Sequence, residues 1–326
     1  MREDMRSEID TNQKYPQWPL EAIAAPLLQT AAGCPWLTVL LTGLFCIGII
    51  WGQELLLAGY HKPAWIRRIQ GFWAAVVLGE SMHWSRYCWQ KTESVWAAPL
   101  LLLALALWLT GKGKPVIQRT NAVMRLFLMG LLGVVFFSAL KEIKLVNLKP
   151  VWQMKDGSLV TIFLLPALLP RWEKTAGKGK LLGCALLLSI ITTGTITVEA
   201  ALSLRAPFYE MSRSLTFLGS VKRFESLAAS AMTIGYFLLF RFLLSAAAAD
   251  GGEDRRMLWF SAAAGAGLYL SGLRINSSWM AAISVLIWGV LPVLVCLTDG
   301  GIGRGNRQGE KKEKTIRKML DKRKRM

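Results

Sequence analysis

Residues 36–59 read WLTVLLTGLFCIGIIWGQELLLAG. The first charge in this stretch is Glu54. A helix needs roughly 20 apolar residues to cross the hydrocarbon layer of a bilayer, and the stretch supplies them. Its apolar residues are continuous rather than alternating, which predicts a helix and not a barrel strand. Similar runs occupy 95–110, 122–140, 181–203, 226–249, 257–273 and 279–298. Run 70–88 belongs with them, although Glu80, His83 and Arg86 interrupt it. Two further segments, 19–32 and 157–170, are shorter, and 157–170 carries two prolines. The expected fold is therefore all-α: a polytopic membrane bundle of about ten transmembrane helices. A polar N-terminal segment, 1–18, precedes a transmembrane domain, 19–298, and a basic tail, 299–326, follows it.

Composition agrees with this pattern. The chain has 326 residues, 53% of them hydrophobic, and a mean hydropathy of +0.37. Lys and Arg number 39 against 21 Asp and Glu, a net charge of +18. A basic nucleic-acid binder is not this oily, and a soluble domain, a disordered chain or a disulfide-stapled secreted domain is excluded as well. With ten crossings and both termini inside, the inside segments hold about 26 Lys and Arg, far more than the outside ones, as the positive-inside rule requires. Charge alone leaves open whether 19–32 crosses. No cleaved signal peptide is expected, because no apolar core follows the polar start.

Most local motifs reduce to membrane-protein features. Cys34, Cys46, Cys88, Cys184 and Cys296 are far apart and read as small apolar residues. With only His61 and His83 there is no His-rich metal site, and no catalytic constellation or cofactor loop is present. The loops GKGK at 111–114 and 177–180 lack the spacing of a phosphate loop and read as turns facing anionic lipid. Segment 304–326 carries eleven basic and three acidic residues. It reads as a basic surface helix on anionic lipid or as a docking segment for a cytoplasmic partner; nucleic acid is not expected, since no aromatic residue is interleaved.

Ionisable residues inside spans are costly and become site candidates. Glu80, His83 and Arg86 share one broad helix face, either lining a polar pocket or sitting at the interface with neighbouring partners. Arg223 and Glu225 open the 226–249 span, as a site or as a capped interfacial start. Small residues at 261–267 and around Thr193 predict close helix packing.

Three stretches carry a family resemblance. Residues 207–247 read PFYEMSRSLTFLGSVKRFESLAASAMTIGYFLLFRFLLSAA, with Pro207, Arg213 and Arg223-Phe224-Glu225-Ser226 as key elements. Asn147-Leu148-Lys149-Pro150-Val151 is the second and Ala32-Gly33-Cys34-Pro35-Trp36-Leu37 the third. In order and spacing, from about residue 24 to 298, they resemble the spore-germination permease family, the B subunits of nutrient germinant receptors. The resemblance implies the amino-acid/polyamine/organocation bundle, with two inverted five-helix repeats whose first and sixth helices are broken. It implies a non-enzymatic subunit in the inner spore membrane that senses a small nutrient of the amino-acid class. Its partners would be an A-type membrane subunit and a C-type lipoprotein. The implied ligand contacts are Gln29, Thr30, Glu80, His83, Arg223 and Glu225. Both broken helices are expected to be truncated here, since 19–32 lacks a first half and only a short segment separates Pro150 from Pro166. A coupled amino-acid transporter and a non-binding scaffold subunit are the alternatives.

Overall fold

A computed structural model describes residues 19–57, 63–86, 96–112, 114–153, 157–168, 171–204, 206–215, 224–247 and 255–298. Arg223, His61, Cys88, the N-terminal segment 1–18 and the tail 299–326 lie outside the described residues.

The described chain is all-helical. Its helices are α1 (Pro19–Thr30), α2 (Trp36–Leu56), α3 (Ala64–Ser85), α4 (Ala97–Thr110), α5 (Lys114–Ala139), α6 (Ser158–Leu164), α7 (Arg171–Ile196), α8 (Val198–Ser203), α9 (Pro207–Ser214), α10 (Phe224–Ala247), α11 (Arg255–Leu270) and α12 (Ser277–Thr298). Four stretches among the described residues are long and apolar enough to cross a membrane: Trp36–Leu56, Lys178–Ile196, Phe224–Ala247 and Ser277–Thr298. The two short segments are present as compact helices. A buried 3-10 turn, Ala31–Gly33, extends α1, and a second, Leu165–Leu168, extends α6.

Polarity is distributed as a membrane requires. Large apolar side chains cover the outside of α2 (Leu41, Leu44, Phe45, Trp51, Leu55) and of α5, where Leu126 is 75% and Phe137 68% exposed. In water such a surface would drive association. The interior instead collects Thr38, Thr42, Gln53, Glu54, Ser189 and Thr193. Polar groups turned inward and apolar groups outward are what hydrocarbon selects.

Consecutive long helices alternate in direction. At one end Glu54 meets Lys178, Cys296 lies 3.7 Å from the Leu56 carbonyl, and Gly71 abuts Ala247. This is the inner end, named for the loop charge that predicts it cytoplasmic. At the outer end Ser189 donates to the Cys34 carbonyl (2.6 Å), and Gly157 packs on the Ser277 backbone. Helix α10 lies centrally, packed on α1, α3, α4 and α5, while α2 packs on α6 and α7.

One predicted span changes its boundaries. The apolar run 181–203 is not a single helix: α7 ends at Ile196, and Thr197 adopts φ +71°. This positive-φ residue breaks the helix, and its hydroxyl accepts from the Ala200 N–H to cap α8. Helix α7 gains its length at the other end, starting at Arg171.

Candidate functional site

The most connected region lies at the outer end. Residues 143–153 form a strap between α5 and α6, and the strap is tied at both edges. Asn147 Nδ2 donates to the Gly194 carbonyl (2.9 Å), which also accepts from the Lys144 N–H (3.0 Å). Helix C-termini leave carbonyls without intrahelical partners, and the strap supplies donors to one near the end of α7. Lys149 pairs with Glu199 on α8 (2.8 Å). At the other edge Thr38, in the first turn of α2, donates to the carbonyls of Val151 (3.3 Å) and Gln153 (3.2 Å), and its hydroxyl accepts from the Gln153 N–H (3.0 Å).

The turn Ala31–Gly33 is fully buried and packs on α7, α8 and α9. Helix α9 joins α10 through Arg213, which meets Glu210 (3.2 Å) and, through Nε, Glu225 (3.2 Å). Pro207, Arg213 and Glu225, the segment 147–151 and the segment 32–37 thus lie at the outer end, while the rest of the stretch 207–247 runs down α10 to the inner end.

Each sequence-predicted residue except Arg223, which lies outside the described residues, has a location. Gln29 ends α1 in a buried position, and its Oε1 accepts from the Tyr236 hydroxyl on α10. The helices approach closely there because Gly235 abuts the Ala25 backbone. Thr30 Oγ1 donates to the Pro26 carbonyl of its own helix (2.7 Å). Pro26 has no N–H, so the Ala22 carbonyl loses its intrahelical donor and α1 is weakened at its midpoint.

Glu80 and His83 are both buried, and both face the segment that links α11 to α12. The Glu80 carboxylate accepts from the Ile275 backbone N–H, with Arg274 nearby. The His83 ring lies 4.8 Å from the Tyr269 ring, centroid to centroid. Both its nitrogens are buried, and neither makes a well-aligned hydrogen bond among the described residues. Arg86 is half-buried and caps the end of α3. Gln29 with Thr30, Glu80 with His83, and Glu225 with Arg213 therefore form three sets, each with its own partners.

Sequence reasoning missed a fourth set, at the inner end. Glu54 on α2 forms a buried ion pair with Lys178 on α7. Its neighbour Gln53 donates Nε2 to the carbonyls of both Trp288 and Gly289 on α12. Arg241 on α10 is likewise buried, its guanidinium 5.7 Å from the Phe237 ring centre. The available signal was the Gln-Glu pair in the run 36–59 and the lone Arg in 226–249, each costly in hydrocarbon. Among the described residues no group of three His, Cys, Asp or Glu could hold a metal.

Glu199 lies beyond the end of α7, and its pKa is held below the ordinary carboxylate value by the Lys149 hydrogen bond. A depressed folded pKa means that this contribution is present above the unfolded value and is lost as pH falls through the folded one. Acid titration should therefore release the strap from α8. In Glu199→Gln limited proteolysis within 143–153 is expected to be raised already at neutral pH, with the acid-dependent rise of the unmodified chain lost. An unchanged acid-dependent rise in Glu199→Gln would show that Lys149–Glu199 does not hold the strap.

No protein-family model matches the chain, and no curated protein matches it in sequence.

Proposed function

We propose that the chain is a B-type subunit of a spore germinant receptor: a membrane protein that senses a small nutrient of the amino-acid class and signals through A- and C-type partners. The observation that carries this reading is that the key residues of the three family-resembling stretches lie at one end around α8. Asn147 and Lys149 bind Gly194 and Glu199 beside α8, and the Ala31–Gly33 turn packs on α8 and on α9.

Part of the helix packing agrees with an inverted five-plus-five arrangement, although the extensive contact of α1 with α10 has no comparable counterpart between α6 and α3. Let α1 to α5 exchange with α6, α7, α10, α11 and α12. The contact of α3 with α11 then becomes that of α10 with α4, and α10 with α5 becomes α3 with α12. The contact of α1 with α7 becomes that of α6 with α2, and the pairs α2–α7 and α3–α10 map onto themselves. The short buried helices α1 and α6 pack on one another. In this reading they are the shortened counterparts of the repeat's broken helices.

The scaffold reading also has a specific observation behind it. Gln29 and Glu80 already have internal partners, Tyr236 and Ile275, so a ligand must displace bonds that exist. A nutrient dose–response of spores separates the two. Under the receptor reading, Tyr236→Phe shifts the half-maximal nutrient concentration about tenfold, since a buried hydrogen bond lost on one side costs about 1–3 kcal/mol. An unchanged dose–response in Tyr236→Phe, Gln29→Leu and Glu80→Gln, with the A-type partner still co-purifying, would establish the scaffold. Robust counterflow of labelled amino acids in proteoliposomes would instead favour the transporter.

A further inference from the structure

The inner end contains a device that the germination reading does not use. Helix α12 is not α-helical throughout: Val285–Val290 forms a π segment. Such segments are rare and are concentrated at functional sites. Here three successive carbonyls in it take side-chain donors from two other helices. Gln70 Nε2 on α3 donates to Ile287 (3.4 Å), and Gln53 Nε2 on α2 donates to Trp288 and Gly289. Trp288, fully buried, returns a bond from its Nε1 to the Gln70 carbonyl (3.4 Å). One residue further along α2, Glu54 turns to α7 and pairs with Lys178. The adjacent residues Gln53 and Glu54 therefore grip two different helices, just before Leu56, whose carbonyl meets the buried Cys296 further along α12.

These bonds are not saturated. Glu54 Oε1 and Gln53 Oε1 are both buried and without a hydrogen-bond partner among the described residues. A clamp whose members each keep one unmet acceptor is held less firmly than a fully satisfied network, and is suited to release. We propose that Gln53 and Glu54 form a latch that closes the inner end of the bundle by joining α2 to α12 and α7. Releasing it parts α2 from both helices and opens a path to Cys296. The proposal does not depend on the identity of the nutrient or on the receptor reading.

Native cysteines test it in the full chain. Cys296 reports the inner end, and Cys34, buried at the outer end, reports the integrity of the whole bundle. Maleimide labelling in membrane vesicles open to the reagent on both faces, read peptide by peptide by mass spectrometry, gives a rate for each. Gln53→Leu is expected to raise Cys296 labelling about tenfold with Cys34 unchanged, because local opening draws on a small part of the global stability. Glu54→Gln also leaves Lys178 buried without its anion and loosens the whole bundle, so it should raise Cys296 labelling well above any rise at Cys34. The charge exchange Glu54→Lys with Lys178→Glu should bring the rate back towards that of the unmodified chain. The proposal is overturned if Cys296 stays protected in both single variants, or if Cys34 labelling rises in step with it, which would mean general loosening.

Discussion

Lys178→Met is expected to destabilise the folded chain by about 3–5 kcal/mol, because it leaves the Glu54 carboxylate buried without its cation. Both members are less than about one-tenth exposed, so water cannot substitute for the missing partner. The paired change Glu54→Met with Lys178→Met should cost far less, since replacing a buried ion pair by apolar groups is often neutral or stabilising by about 1–4 kcal/mol. Reversible unfolding in mixed micelles, followed by tryptophan fluorescence, measures both. If the single variant unfolds with the unmodified chain, the pair does not carry the load its burial implies.

Gly235→Ala is the second large effect. A β-carbon at this position would stand 2.6 Å from the Ala25 Cβ and 2.9 Å from the Ala25 backbone nitrogen. The obstacle is largely backbone, so no rotamer change relieves it. Helix α1 must move away from α10, and overpacking of this kind costs about 1–3 kcal/mol. The displacement also strains the bond from Tyr236 to Gln29 at the next position along α10. Gly48 supplies the control, because a β-carbon there meets nothing within 4 Å. Gly48→Ala should be neutral or stabilising by up to about 1 kcal/mol, as Ala is the better helix former. The two substitutions are chemically identical and differ only in what surrounds them. Equal effects on the unfolding midpoint would refute the close contact between α1 and α10.

The architecture was legible wherever hydrophobic runs decide it. The run 36–59 became α2, and the short segments 19–32 and 157–170 became short helices, because span length follows directly from apolar length. The break at Thr197 was not legible. The apolar character of the run continues through it, and no glycine marks the positive φ. Glu80 and His83 could be singled out by their cost in a span, but not their partners, since Arg274, Ile275 and Tyr269 lie on a distant part of the chain. The inner pair was hidden for the same reason. Glu54 and Lys178 are 124 positions apart, and each alone looks like an interfacial charge at a helix end.

The outer strap also has a consequence for biosynthesis. Asn147 and Lys144 fasten to Gly194, and Asn147 precedes that residue by 47 positions. At roughly 5–20 residues per second, the ribosome finishes the strap several seconds before it makes the carbonyl that receives it. During that interval the first five helices are complete, while the strap has no helix end to bind. Synthesis of α1 to α5 therefore precedes the fastening of the strap, and α7 is the element whose arrival completes it.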